Sequence, residues 1–484
     1  MASMPRSAKY ALLVAAILAL VAIVARWWLF ASYNSLAQRE ITLLRAEGGS
    51  TDILDLVPKP LGRGPGEPIL LLKADQFQRP YPNPVRTANP NDPGFAEARG
   101  VTDAYEAFLT WLASARAGNT RSGSPQPPWN SAWDPRLDKF AAGNKDFFDF
   151  IRRTTSGSPV MFDTDWSKGY NTLLPHLSKI RECARALAAD AVVNARKGDM
   201  DAAMADVQAS LRLRRLIDND PILISKLVAI AVDSISYNTL EAVMSTGRPS
   251  RESVKNLLDD LADREDRNRM TLPLLGEAAG AFSIFNDARK DPRLIATLNS
   301  SSPSPYTDSN SVVGFFVKTG ARIVWIWPAD EYYYLQENRA LRERSRLPMS
   351  EALKAPRAPS PSANAPIAFS VVTKMLIPPL GRMFTQEAAC DAQARMARTA
   401  LALYLYRADS GSYPPTLDDL SPKYLPSVQL DPFDGKPLRY KPSNNGFLIY
   451  SIGEDQRDNT GVSPSDIVWQ HEDPPATPEG AVTP

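Results

Sequence analysis

Six side chains carrying hard oxygen donors fall within twelve residues near the end of the chain: Asp455, Asp458, Asn459, Ser463, Ser465 and Asp466. Carboxylates, an amide and hydroxyls are what calcium takes, and backbone carbonyls would complete six or seven ligands. The spacing is not that of an EF-hand, and a solvated polar loop without an ion accounts for the same residues. His176 is a second candidate, a general base with Asp163 or Asp165 close in sequence. Pro175-His176 is equally the opening of a helix, where a polar cap or half-buried residue is usual. The acid pairs Asp163/Asp165 and Asp259/Asp260 have the side chains that glycoside hydrolysis needs, although acids this common form pairs by chance. No Gly-x-Ser-x-Gly, phosphate loop or dinucleotide fingerprint supports an enzyme. Cys183 and Cys390 lie in apolar helical stretches and read as buried thiols, with a mutual disulfide after export as the alternative. Arg212, Arg214 and Arg215 cluster among acids, as on a solvated face.

The elements that position these residues belong to a chain of 484, long enough for two or three domains. Its 55 Lys+Arg against 54 Asp+Glu leave a formal charge of +1, which gives no electrostatic basis for a nucleic-acid partner. A hydrophobic fraction of 44% excludes wholesale disorder. Two histidines 295 positions apart make a His-rich zinc site improbable, and two cysteines cannot build a disulfide framework. The 42 prolines exceed the roughly 5% of average proteins and imply extended linkers.

Residues 10–25 contain no charge, and continuing through Arg26, Trp27, Trp28, Leu29 and Phe30 makes an apolar helix of about 31 Å, close to the thickness of a bilayer core. Arg26 can snorkel, Trp27 and Trp28 fit an interfacial aromatic belt, and Arg6 and Lys9 hold a short tail (1–9) in the cytoplasm. The expectation is a single-pass inner-membrane anchor over 10–30 with the bulk of the chain periplasmic. A signal peptide cut after Ser35-Leu36-Ala37 is the competing reading, and it agrees on export.

Residues 31–100 read as extended or irregular, with a short amphipathic helix over Ser35–Glu47 and a strand over Pro68–Lys73. A helical domain follows over 101–354. Its clearest block has Leu177, Ile180, Ala184, Leu187, Ala191 and Ala195 at three- and four-residue steps, then a turn at Gly198-Asp199. A second helix continues through Met204, Val207 and Leu211, and a third runs from Pro221 to Gly247. Residues 177–217 resemble a tetratricopeptide-type helical hairpin, although a plain bundle fits as well and no second copy follows at a 34-residue period. Another helix is expected over Arg251–Met270 and a Ser/Pro linker over Ser300–Asn310. The aromatic run 312–336, which includes Trp325, Trp327, Tyr332, Tyr333 and Tyr334, reads as a core helix, with contact to a membrane surface or partner as the alternative. Residues 355–366 form a Pro/Ser/Ala tether, the main domain boundary, and 471–484 a disordered tail.

Between them, 367–470 reads as a compact α+β unit. A helix over Gln386–Arg407 ends at Ser410-Gly411, Leu417 and Leu420 cap its base, and a hairpin turns at Asn445-Gly446. Ala-Leu-Tyr-Leu-Tyr-Arg-Ala-Asp-Ser-Gly-Ser-Tyr-Pro (402–414), Asp-Pro-Phe-Asp-Gly-Lys-Pro-Leu-Arg-Tyr, Gly-Phe-Leu-Ile-Tyr-Ser-Ile-Gly-Glu-Asp and Ser-Asp-Ile-Val-Trp occur in this order. Over 386–470 the chain thereby resembles the major pseudopilin of type II secretion systems. The resemblance implies a helix packed on a small sheet and a late calcium-binding loop, with Asp455, Asp458 and Asp466 as the metal residues. Pseudopilins carry their hydrophobic helix directly before this domain, behind a peptidase-cleaved signal and a glutamate. Here the anchor lies about 360 residues upstream and has neither, which argues against polymerisation into a filament. The fold class expected is mainly α, with an anchor, an irregular helical bundle and a small pseudopilin-like end. The expected function is a non-catalytic, membrane-anchored scaffold or interaction protein with protein partners, secretion machinery among them, calcium as its ion and no nucleic acid. The alternative is an envelope hydrolase with a carboxylate-lined cleft.

Overall fold

The computed structural model describes residues 6–57, 70–72, 95–116, 135–156, 160–262, 270–290, 326–355, 362–366, 369–461 and 466–473. The expected linker Ser300–Asn310, the aromatics from Val312 to Trp325 and residues 474–484 of the expected tail lie outside these residues; the first three residues of that tail are structured instead, His471 and Glu472 ending the last strand and Asp473 pairing with Arg407. The described chain is mainly helical, with a small antiparallel sheet at its C-terminal end.

Helix α1 spans Arg6–Ala46, about 61 Å. No proline or glycine interrupts it, and Gly48, at φ +84°, ends it by donating to Arg45 O. The apolar segment and the amphipathic helix expected over Ser35–Glu47 are thus one helix, joined without a break through 31–34. Three-and-four spacing decides this: Ala37, Ile41 and Leu44 form a buried stripe. α2 (Phe95–Arg116) begins before residue 101.

α3 (Arg136–Gly143) and α4 (Lys145–Ser156) lead to the central helices α5 (Pro175–Arg196), α6 (Met200–Leu213) and α7 (Leu223–Thr246). Strands β1 (Leu70–Leu72) and β2 (Val160–Phe162) pair in parallel, Leu71 opposite Met161. The α5–α6 turn has Gly198 at φ +84° and Asp199 accepting from Ala202 N, an N-cap that satisfies an orphan donor. Helices α8 (Arg251–Ala262), α9 (Thr271–Lys290), α10 (Trp327–Ser345), α11 (Met349–Lys354) and α12 (Val371–Ser410) complete the helical part.

Gly276 of α9 sits against the α7 entry, where a Cβ would lie 1.3 Å from Pro221 O. Gly276→Ala is therefore expected to force the helices apart and cost about 1–3 kcal/mol, read as a lower urea midpoint with unchanged slope.

α12 starts fifteen residues before Gln386 and passes through Pro378-Pro379, two residues that supply no N–H to the ladder. Its start is held from elsewhere. The buried Asp330 of α10 accepts from Val372 N at 2.8 Å, Thr373 N at 2.9 Å and Thr373 Oγ1 at 2.7 Å. Gly411, at φ +77°, closes the helix by donating to Arg407 O. Beyond it, β3 (Arg439–Ser443), β4 (Gly446–Ser451) and β5 (Ile467–Glu472) form the sheet in the order β3-β4-β5. The hairpin turns at Asn444-Asn445, one residue earlier than expected, because Gly446 pairs with Ser443 as the first residue of β4. A Cβ there would lie 2.1 Å from His471 O across the ladder.

The expected tether does not divide the packing. One core joins Ala191, Met204, Tyr237, Leu240 and Val254 of α5–α8 to Ala397, Leu401 and Leu405 of α12 and to Phe447 and Trp469 of the sheet. Residues 356–361 are outside the described set, but Ser362 is buried and donates through N (3.1 Å) and Oγ (2.7 Å) to Glu337, while Lys374 donates to Ala365 O. The helical and α+β parts therefore share their apolar burial.

Candidate functional site

The acidic loop leaves β4 and returns into β5. Gly453, Gln456, Thr460 and Gly461 all adopt positive φ, so the segment folds back on itself within nine residues. Asp455 accepts from Arg457 N and from Asn459 Nδ2; Asp458 accepts from Thr460 N at 2.9 Å and from the Tyr450 hydroxyl at 3.1 Å. Lys441 fastens the loop by donating to Thr460 O. Asp466 accepts from Gly461 N through Oδ2, while its buried Oδ1 receives no hydrogen bond among the described residues.

Burial raises the Asp466 carboxyl above the ordinary range, and the charges of Asp458 and Asp455 push it further up. Asp458 is lowered, first by the Thr460 N–H, with help from Tyr450 and Arg439. The loop thus brings the three expected carboxylates into electrostatic contact. Ser463 and Ser465 lie outside the described residues, and among the described ones no group of three His, Cys, Asp or Glu is placed to hold a metal ion. A hard cation fits the orphaned Asp466 oxygen; it fits Asp458 less well, since Arg439 Nε already stands 3.6 Å from that carboxylate.

The second feature is the division of α1. It and α7 are the two described helices long and apolar enough to cross a membrane. The apolar window of α7 is 78% buried in the core, whereas that of α1 is wholly bare. Leu12, Leu13, Ile17, Leu20, Ile23 and Trp27 are exposed, and from Phe30 onward the same helix docks on α10. Phe30 meets Trp327 edge-on, with centroids 5.0 Å apart; Glu40 pairs with Arg339, and Glu47 with Arg342 and Arg346. Arg342 holds Glu47 below the usual carboxylate range against the opposing effect of burial, which is the larger single influence.

Interior ion pairs account for the remaining candidates. His176 is buried, stacked on Phe162, and its Nε2 lies 3.3 Å from Asp220 rather than against Asp163 or Asp165. Asp165 instead caps the turn at Trp166 by accepting from Ser167 N. Asp260 accepts from Arg212 and Arg215, and Arg214 pairs with Asp218, so the basic cluster is consumed in part internally: Arg214 is buried. Cys183 and Cys390 are buried thiols in different clusters; burial pushes Cys183 up, and Cys390 Sγ lies 3.7 Å from Asp233. No disulfide joins them.

Sequence reasoning missed a largely buried ionic cluster. Arg152 of α4 donates through Nε (2.8 Å) and Nη2 to Asp206 of α6, through Nη2 to Asp190 of α5 at 2.7 Å, and through Nη1 to Asp149. Asn194 donates to the other oxygen of Asp206. Burial raises both Asp190 and Asp206, and Arg152 counters it. The legible signal was a single acid within each apolar helical run, Ala189-Asp190-Ala191 and Ala205-Asp206-Val207. No family model, curated protein or solved structure matches the chain.

Proposed function

We propose that the protein is a membrane-anchored, extracytoplasmic scaffold or interaction protein, non-catalytic, with a pseudopilin-like C-terminal unit and secretion machinery among its partners. The observation that carries this reading is the division of α1 into a bare apolar half and a half docked in the body. Removing a leader after Ala37 would take Phe30 and Tyr33 from their aromatic partners and cut the helix within its docked part, which favours an uncleaved anchor. The pseudopilin likeness is supported by a long helix on a three-stranded antiparallel sheet with an acidic loop before its last strand. Of the acid pairs considered for a hydrolytic cleft, Asp165 caps the turn at Trp166 and Asp260 is paired with Arg212 and Arg215.

Alkaline carbonate extraction and protease protection in spheroplasts test the reading. The intact chain is expected to stay in the membrane fraction with its body open to external protease. Recovery as a soluble cytosolic protein with residues 1–37 still attached would end it. Co-purification of secretion components from detergent-solubilised membranes tests the partner class.

For the ion, Asp466 with Asp455 and Asp458 would hold calcium, which would act as a loop staple. Calcium several-fold above its dissociation constant is expected to stabilise the protein by about 1 kcal/mol, and Asp466→Ala to abolish that gain. An unchanged melting curve at millimolar calcium removes the site.

A further inference from the structure

The helix contacts fix which end of the body faces the anchor. Phe30 meets Trp327, Tyr33 meets Tyr332, Tyr333 and Phe369, Glu40 meets Arg339, and Glu47 meets Arg342. Residue numbers rise together along both helices, so α1 and α10 run side by side in the same direction, and the first turn of α10 stands level with Phe30. The last turn of α9 reaches this level too: the Arg289 guanidinium lies 3.6 Å over the Trp327 ring and pairs with Glu331 at 2.7 Å. So does the first turn of α12, tied to Asp330 of α10. Three helix ends therefore converge on one level of the body.

That level is close to the bare segment. Trp27 and Trp28 are 70% and 62% exposed, and Phe30 follows two residues, about 3 Å, after Trp28. Tyr33 follows at about 7.5 Å. A headgroup layer is about 5–7 Å deep on each side of the hydrocarbon core. With Trp27 and Trp28 at the edge of that core, Trp327 falls inside the layer, and Tyr332, Tyr333 and Phe369, packed on Tyr33, stand at its outer edge. Their chemistry suits it: Trp and Tyr rings with one polar edge, and the 80% exposed Lys290 side chain, whose ammonium stands 3.6 Å from Asp287 at the rim, beside Arg289 paired with Glu331.

We infer that the end of the body formed by Trp327, Tyr332, Tyr333, Phe369, Arg289 and Lys290 sits in the lipid headgroup layer as a second, peripheral membrane contact beside the anchor. This rests on the anchored reading of α1. The occupant is the bilayer surface because the face continues directly from the exposed apolar helix. The consequence is orientation: the body stands fixed on the membrane, with the C-terminal ends of α1 and α10 pointing away from it.

Spin labels on the full chain in lipid nanodiscs test this, since both native cysteines are buried. Lys290→Cys places a label on the inferred face. Arg45→Cys places one on the exposed last turn of α1, 17 residues and about 26 Å beyond Trp28. Nickel carried on a chelating lipid headgroup is expected to relax the label at 290 several-fold more than the label at 45. Equal relaxation in a protein that still resists carbonate extraction overturns the peripheral contact and leaves the anchor standing; a protein partner covering this end would give that result. Extraction by carbonate overturns the anchor, and the contact with it.

Discussion

Arg152→Ala is expected to destabilise the protein by about 3–5 kcal/mol near neutral pH, the cost of stranding a buried charge. Asp206 is fully buried and Asp190 nearly so, and Arg152 is the cation that reaches both. With it removed, the two carboxyls face each other with Asn194 as remaining support, and both titrate still higher. A carboxyl raised above its unfolded value contributes stability below the unfolded pKa and loses it as pH rises through the folded one. The destabilisation should therefore be modest near pH 4 and grow toward pH 7. Arg152→Lys should recover only part of it, because one ammonium cannot reproduce the guanidinium fork on Asp149, Asp190 and Asp206. Urea melts across pH decide the matter. A pH-independent loss under 1 kcal/mol would mean that the acids are already neutral and need no cation.

The same network shows where sequence reading stops. Helices α5, α6 and α7 were legible almost to the residue because Gly198-Asp199, Pro221 and Gly247 punctuate three strongly periodic stretches. Arg152 was not, since its partners lie 38 and 54 residues away and only the packing of α4 across α5 and α6 brings them together. The start of α12 failed for a related reason. Pro378-Pro379 normally ends a helix, and the compensating cap, Asp330, lies 42 residues upstream. The tether shows the limit of composition: proline, serine and alanine signal an extended segment, but Ser362 finds a buried acceptor in Glu337.

For the candidate sites the balance differs. The oxygen donors of the acidic loop were visible as residue types, whereas their convergence depends on left-handed backbone at Gln456 and Thr460, which no local pattern announces. The bare apolar helix of α1 is legible in full. Its continuation into a docked helix is half legible, as the amphipathic stretch, whereas nothing in the aromatic run, read as a core helix or as a membrane-surface or partner contact, identifies Trp327, Tyr332 and Tyr333 as the residues that receive α1. Tyr334 is buried against Phe285, as a core seam requires, while Trp327 and Tyr332 remain partly open at the end nearest the apolar segment.

The joint between the helical body and the sheet carries its own titration. β5 is an edge strand, paired on one side to β4, and the N–H of Gln470 turns outward to α7, where Glu241 accepts it at 3.1 Å. An unpaired N–H in that interface would cost about as much as a lost hydrogen bond, which is why an acceptor stands there. Enclosure between α7 and β5 pushes the Glu241 carboxyl up from 4.5 to about 8, and the Gln470 N–H only partly offsets it. The carboxyl is therefore neutral near pH 7, and stability should fall as pH rises from 4.5 through 8. Carried at full weight, that interval corresponds to about 5 kcal/mol. Glu241 as a residue keeps partial contact with solvent, which reduces the expectation to about 2–3 kcal/mol. Glu241→Gln retains an acceptor for Gln470 and cannot ionise, so it should match the native chain at pH 5 and exceed it by that amount at pH 9. Amide exchange at 467–472 should slow in the variant at pH 9, because the joint then stays closed. Parallel stability profiles for the two proteins between pH 5 and pH 9 would show that this carboxyl is solvated and that another group sets the alkaline limit.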